Sequence, residues 1–271
     1  MQLPIYQADA FTSQTFGGNP AALVPLEAWL PDELLQRIAA ENNLSETAFT
    51  VAKEDGFELR WFTPVAEVPL CGHATLAAAH LLWSEYGFAG GEIRFFTHSG
   101  PLIARRTGDG IALDFPAQIP RPVELEKHFV APFGIEPEEA LVEDMEGGKL
   151  LLVFASEQQI RDLQPDFRAV ANLPYQGVVC TAAGKECDFV SRFFAPNVGI
   201  DEDPVTGSAH TLLTPLWSAK LGKLRLVARQ VSPRGGDLCC ELRGERVILE
   251  GKAVTYLRGE IIVPDWGQCH Q

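Results

Sequence analysis

Four polar side chains stand where proton chemistry could be done. Glu46 opens the apolar stretch Thr47-Ala48-Phe49-Thr50-Val51, His73 follows Gly72 and Ser208 follows Gly207 at the heads of two apolar runs, and Asp203 lies just ahead of the second glycine. A glutamate partly removed from water holds its proton more tightly than a free carboxylate, which suits it to moving protons near neutral pH. A helix N-terminus offers unpaired backbone N–H groups and a partial positive charge, and glycine lets a ligand approach the backbone. Gly72-His73 and Gly207-Ser208 could therefore each cradle an anion, most simply a carboxylate. Taken singly, Glu46 reads equally well as a solvated strand end, and each glycine motif as the plain cap of a buried helix.

The chain resembles itself, and that changes the weighing. Arg60-Trp61-Phe62-Thr63-Pro64 returns as Arg192-Phe193-Phe194-Ala195-Pro196, and Glu67-Val68-Pro69-Leu70-Cys71-Gly72-His73-Ala74 as Glu202-Asp203-Pro204-Val205-Thr206-Gly207-Ser208-Ala209. The stretch Leu102…Gly108-Asp109-Gly110-Ile111 echoes again in Leu238…Gly244-Glu245-Arg246-Val247. A near-constant offset of half a chain points to duplication of one fold, with matching loops facing one cleft. Aligned by the repeat, Val68 stands opposite Asp203, Cys71 opposite Thr206 and His73 opposite Ser208, while the counterpart of Glu46 falls near Gly177. The expected site is asymmetric.

Composition narrows the alternatives. A chain of 271 residues, 46% apolar and 21% charged, can bury two cores. With a net charge of −14 it has no surplus of Lys and Arg to neutralise phosphates, so neither nucleic acid nor an anionic membrane surface is an expected partner. The first residues show no basic stretch followed by an apolar run, and no window approaches the roughly 20 apolar residues of a membrane span. The expected compartment is the cytoplasm. Cysteines 71, 180, 187, 239, 240 and 269 are scattered, adjacent or terminal and read as free thiols without metal spacing. His80 and His210 lie inside apolar runs and read as packing residues. Gly17-Gly18-Asn19-Pro20 is a turn, without a phosphate-loop pattern, and Ser208 lacks a nucleophile elbow. No metal, nucleotide or flavin is expected.

The elements that must position these residues are legible as patterns. Pro31-Asp32 opens an amphipathic helix through Leu34, Leu35, Ile38 and Ala39, and Pro165-Asp166 does the same before residues 167–173. Strand patterns follow at 47–51 and 57–62, then at 178–181 and 189–194. The run Ala74 to Trp83 is apolar all round, which predicts a central helix wrapped by sheet. Its echo, Ala209 to Trp217, contains Pro215, which is expected to kink or shorten that helix. Further strand patterns cover 93–96, 102–105, 111–115, 224–227, 239–242 and 246–249. Prolines cluster at 116–120, which places the boundary of two domains at 1–117 and 118–271. The final strand patterns within 253–271 could return to either domain.

With these motifs in order from Asp9-Ala10-Phe11-Thr12 and Phe16-Gly17-Gly18-Asn19-Pro20, through Asn43-Leu44-Ser45-Glu46-Thr47 and Cys71-Gly72-His73-Ala74, to Gly199-Ile200-Asp201-Glu202-Asp203-Pro204 and Gln230-Val231-Ser232-Pro233-Arg234-Gly235-Gly236, the chain resembles the PhzF family of phenazine biosynthesis. That family shares its fold with diaminopimelate epimerase. The resemblance implies an α+β fold of two pseudo-symmetric domains, each a β-barrel-like sheet around a central helix. It implies a cofactor-free isomerase acting on a small carboxylate, and commonly a homodimer. Glu46 matches the proton-moving glutamate, and His73, Asp203 and Ser208 the other polar positions, with Asn19, Ser45, Gly72 and Gly207 as further substrate-binding candidates. Two other readings stand beside it. A two-base epimerase of this fold uses a cysteine from each half, but Thr206 replaces the second one here. A non-catalytic binding protein on this fold would not need Glu46, His73, Asp203 and Ser208 together.

Overall fold

The computed structural model describes residues 1–108 and 110–264. Asp109, Cys269 and the end of the 253–271 segment lie outside the described residues. The chain divides into two compact units, Met1–Asp114 with the chain from Glu250 onward, and Phe115–Leu249.

In the first unit, strand Gln2–Ala10 pairs antiparallel with Asn19–Leu26, which pairs parallel with Glu46–Lys53. Glu46–Lys53 in turn pairs antiparallel with Gly56–Phe62, which meets Glu92–Thr97 in parallel. Hairpins continue to Gly100–Thr107 and Gly110–Pro116. The second unit repeats the central pattern: Lys149–Val153 runs parallel to Gly177–Ala183, which is antiparallel to Phe189–Ala195, which is parallel to Arg225–Gln230. The duplication read in the residues is thus a duplication of strand order.

Each unit winds its strands around one helix that has no polar face. Gly72–Ser84 buries ten residues from His73 to Trp83 and packs on strands at 2–10, 19–26, 46–53, 100–107 and 253–262. Gly207–Leu221 does the same in the second unit. The outer face of each sheet is covered by smaller helices. Asp32–Asn42 places Leu34, Leu35 and Ile38 on Val24, Phe49 and Phe62. Glu157–Asp162 and Phe167–Ala171 place Ile160 and Val170 on Leu152, Val178 and Phe194. Both of these short helices start from built caps, a capping box at Ser156 and Gln159 and the Asp166 carboxylate on two backbone N–H groups.

Two points differ from or sharpen the sequence expectation. Pro215 does not shorten its helix, which runs on to Leu221. Proline at 215 cannot donate to the Thr211 carbonyl, and that carbonyl instead accepts the Gln118 N–H at 3.1 Å, so the lost bond is replaced from outside the helix. The strand patterns near the end of the chain form one strand, Ala253–Ile262, which pairs along the whole of Gln2–Ala10 in the first unit.

The repeated Arg and Glu prove structural. Arg60 grips both oxygens of Glu67 at 2.7 and 2.6 Å, and Arg192 grips Glu202 at 2.7 and 2.8 Å, each guanidinium lying over the Phe two residues on. These forks tie the strand before each central helix to the segment that leads into the helix head.

Candidate active site

The turn at residues 17–20 starts the first unit's site. Gly18 has φ +61°, and a Cβ there would lie 2.1 Å from the Ala10 carbonyl oxygen, so only glycine closes this turn. The turn feeds Asn19 into the first position of its strand, fully buried. The parallel register pairs Ala21 with Glu46, which puts the glutamate at the mouth of the next strand.

Across from it the first central helix begins. Cys71 is its N-cap in extended conformation, no side chain caps the first turn, and that turn holds no acidic residue. Its leading N–H groups are therefore not claimed by a capping side chain. His73 turns back from the second helical position, with its Nε2 3.0 Å from Glu46 Oε2. The Asn19 carboxamide lies 3.2 Å from His73 Nδ1, and Cys71 Sγ 3.5 Å from the same nitrogen. Burial pushes the Cys71 thiol up to about 11, with the Glu46 charge adding to it and His73 pulling back. Burial alone would lower the His73 pKa, but the neighbouring Cys71 and Glu46 outweigh it and raise it well above the ordinary value. The charge on Glu46 favours the imidazolium form of His73.

Glu46, Cys71 and His73 also each bring one metal-binding atom within 4.8 Å of the others. Sequence spacing did not disclose this trio, because Glu46 arrives from a strand far earlier in the chain than the helix head that carries Cys71 and His73.

The second helix head is built differently. Thr206 is the N-cap, again without a side-chain cap on the first turn, and its hydroxyl donates to Asp203 Oδ2. Gln230, fully buried, accepts the Thr206 N–H at 2.8 Å and donates to the Asp203 carbonyl at 2.7 Å and the Thr206 hydroxyl at 3.2 Å. A hydroxyl that accepts from one side is left to donate on the other, so Gln230 aims the Thr206 proton at Asp203. Gly207 and Ser208 head the helix beside this network.

The structure thus brings together Glu46, His73 and Asn19, with Gly72 at the helix head, and places Asp203, Gly207 and Ser208 at the head of the other unit's helix. Ser45 precedes Glu46, half-buried, and makes none of these contacts. Sequence reasoning left Cys71 outside the isomerase site and overlooked Gln230, although the latter opens the stretch Gln230–Gly236. At Gly177, the counterpart of Glu46, an added Cβ would sit 2.6 Å from the Phe194 carbonyl oxygen. The second unit has no room for a side chain where the first carries its glutamate. His80 and His210 are held as packing residues: His80 contacts Thr255 at 3.0 Å, and His210 sits on Phe189 with its pKa lowered by burial to about 4.

With this geometry established, comparison with known proteins adds four findings. The profile of a family described as phenazine biosynthesis-like protein matches residues 8–259. A Pseudomonas aeruginosa protein named as an uncharacterised isomerase is 51% identical over 261 residues, covering 96% of this chain and 99% of its own. A crystal structure of a PhzF-family phenazine biosynthesis protein from Enterococcus faecalis superposes with a TM-score of 0.93 at 44% identity, covering 97% of this chain and all of that one. More distantly, a hydroxyproline epimerase from Agrobacterium vitis shares the α+β fold at a TM-score of 0.62 and 11% identity, over 96% of this chain and 92% of its own.

Proposed function

Because this chain belongs to the phenazine biosynthesis-like family, whose profile spans nearly its whole length, we propose that it is an isomerase that shifts a proton within a small carboxylate substrate without a cofactor. The observation that carries the reading is the contact of Glu46 with the buried His73 ring at 3.0 Å. In this scheme one Glu46 oxygen faces the imidazolium while the other takes a proton from a substrate carbon and returns it to another carbon. The imidazolium steadies the carboxylate as it gains and loses charge. The uncapped head at Gly72 binds the substrate carboxylate. By the internal repeat, Gly207 and Ser208 supply a second such head and Asp203 a second carboxylate. Asn19 fixes the His73 ring.

Two-base epimerisation is the alternative, and two observations weigh against it. The repeat partner of Cys71 is Thr206, whose hydroxyl is committed to Asp203, and Cys71 itself is held as a thiol.

The test is a panel of small carboxylates incubated with the protein in deuterated buffer, read by mass spectrometry for proton exchange and by NMR for double-bond position. Glu46→Gln keeps the shape but removes the titrating proton. It should lower the rate by roughly 10²–10⁴-fold while binding changes little. Exchange by Glu46→Gln at the wild-type rate would sink the proposal.

A further inference from the structure

Glu46, Cys71 and His73 offer an oxygen, a sulfur and a nitrogen, and among the described residues no other trio of such side chains is gathered as closely. Two of these atoms, Glu46 Oε2 and His73 Nε2, are buried and complete no hydrogen bond, although they lie 3.0 Å apart. Buried polar atoms are normally satisfied, so a pair that face each other off the hydrogen-bond line are placed to share a third partner. Cys71 Sγ stands 3.5 Å from the other ring nitrogen, Nδ1, and because an imidazole gives one nitrogen to an ion, the ring must turn so that a single nitrogen faces both Sγ and Glu46. Bonds of about 2.0 Å to nitrogen and oxygen and about 2.3 Å to sulfur set tetrahedral donors roughly 3.3–3.6 Å apart. The trio needs to close by about 1 Å at its widest pair to reach that spacing.

We propose that Glu46, Cys71 and His73 form a three-ligand site for a divalent cation of the zinc class, and that the bound cation inhibits the protein. The donor set selects the ion: magnesium and calcium take oxygen ligands, whereas a thiolate beside an imidazole suits zinc. Three protein ligands leave a fourth position for water, the open arrangement of a labile zinc site. On binding, the ion takes a lone pair from sulfur, from one ring nitrogen and from a carboxylate oxygen. The thiol proton and one imidazolium proton pass to solvent, and nothing is oxidised or reduced. Inhibition rests on the proton-shift reading above, since a Glu46 oxygen held by the cation no longer takes a proton from carbon. Binding does not rest on it.

The experiment uses zinc chloride alone, with magnesium chloride as control, on the full-length protein, by calorimetry and by elemental analysis after dialysis. One zinc per chain and no magnesium are expected. Cobalt substitution should give a thiolate-to-cobalt charge-transfer band. Cys71→Ser, His73→Gln and Glu46→Gln should each weaken zinc binding roughly 100-fold, at least the upper end of what loss of an outer-shell partner causes, while Cys239→Ser changes nothing. If a variant folds poorly, X-ray absorption of the zinc-loaded wild type, expected to show one sulfur ligand, decides the same question. Absence of zinc binding, or binding unchanged in Cys71→Ser, overturns the site. Zinc held by the trio without loss of substrate proton exchange overturns the inhibition. Exchange untouched in Glu46→Gln would instead fault the proton-shift reading and leave the site standing.

Discussion

The buried ionisable groups titrate in opposite senses, and each has a measurable consequence. His210 is neutral in the fold, its pKa lowered to about 4 by burial, while the unfolded chain titrates it near 6.5. As pH falls below about 6.5 the unfolded state takes up the proton first. Stability present above that pH is then lost down to about 4, by about 3 kcal/mol in all. Urea unfolding should show this acid loss in the wild type and less of it in His210→Gln, which retains a donor for the Thr206 carbonyl. His73 runs the other way: its raised pKa gives stability that is complete below about 6.5 and is lost as pH climbs through its own higher value. Glu46→Gln should flatten that alkaline loss. Thiols separate in the same manner. Cys71 is held up to about 11 and Cys240 up to about 12 by burial, so iodoacetamide at neutral pH should label the half-exposed Cys239 well before either, as read by peptide mass spectrometry. Early labelling of Cys71 would contradict the protonated thiol. Cys71→Ser should leave isomerisation largely intact, whereas an epimerase using this thiol as a base would be crippled.

Among the elements, the fork at Arg192 carries the largest expected stability effect. Its guanidinium holds Glu202 and also the Ile160 and Leu163 carbonyls at 3.2 and 2.8 Å, so Arg192→Met strands a part-buried carboxylate and two buried acceptors together. A loss of about 3–5 kcal/mol is expected, readable as a drop in the urea midpoint. The equivalent Arg60→Met should cost less, because the outer partner of Arg60, Asp32, is exposed. These elements were largely readable in advance: Ala74 to Trp83 has no polar face, and the patterns at 47–51 and 178–181 became equivalent strands. The heads of both central helices also fell where Gly72 and Gly207 placed them. What escaped was non-local. No pattern around Pro215 reveals that Gln118 will reach the Thr211 carbonyl, and nothing near Cys71 shows that Glu46 will arrive from a strand far earlier in the chain to hold His73. The role of Gln230, though its stretch was noted, was hidden for the same reason, since its three hydrogen bonds all reach residues more than twenty positions earlier.

At the scale of the whole molecule, the two units are equivalent in strand order and unequal in chemistry. Gly177, packed against the Phe194 carbonyl, shows that the inequality is steric as well as chemical: Gly177→Glu should destabilise the second unit without adding a base. Strand Ala253–Ile262 closes the first unit, so truncation before Ala253 should strip hydrogen-exchange protection from residues 2–10 and spare residues 177–183. The same pairing sets a timetable for synthesis. A ribosome delivers strand Gln2–Ala10 well before its outer partner, with the whole of the second unit in between. At roughly 5–20 residues per second, the N-terminal strand waits on the order of ten seconds or more with one edge unpaired. The unit begun second can be finished first, and the open edge of the other is the nascent chain's point of exposure to aggregation or to a chaperone.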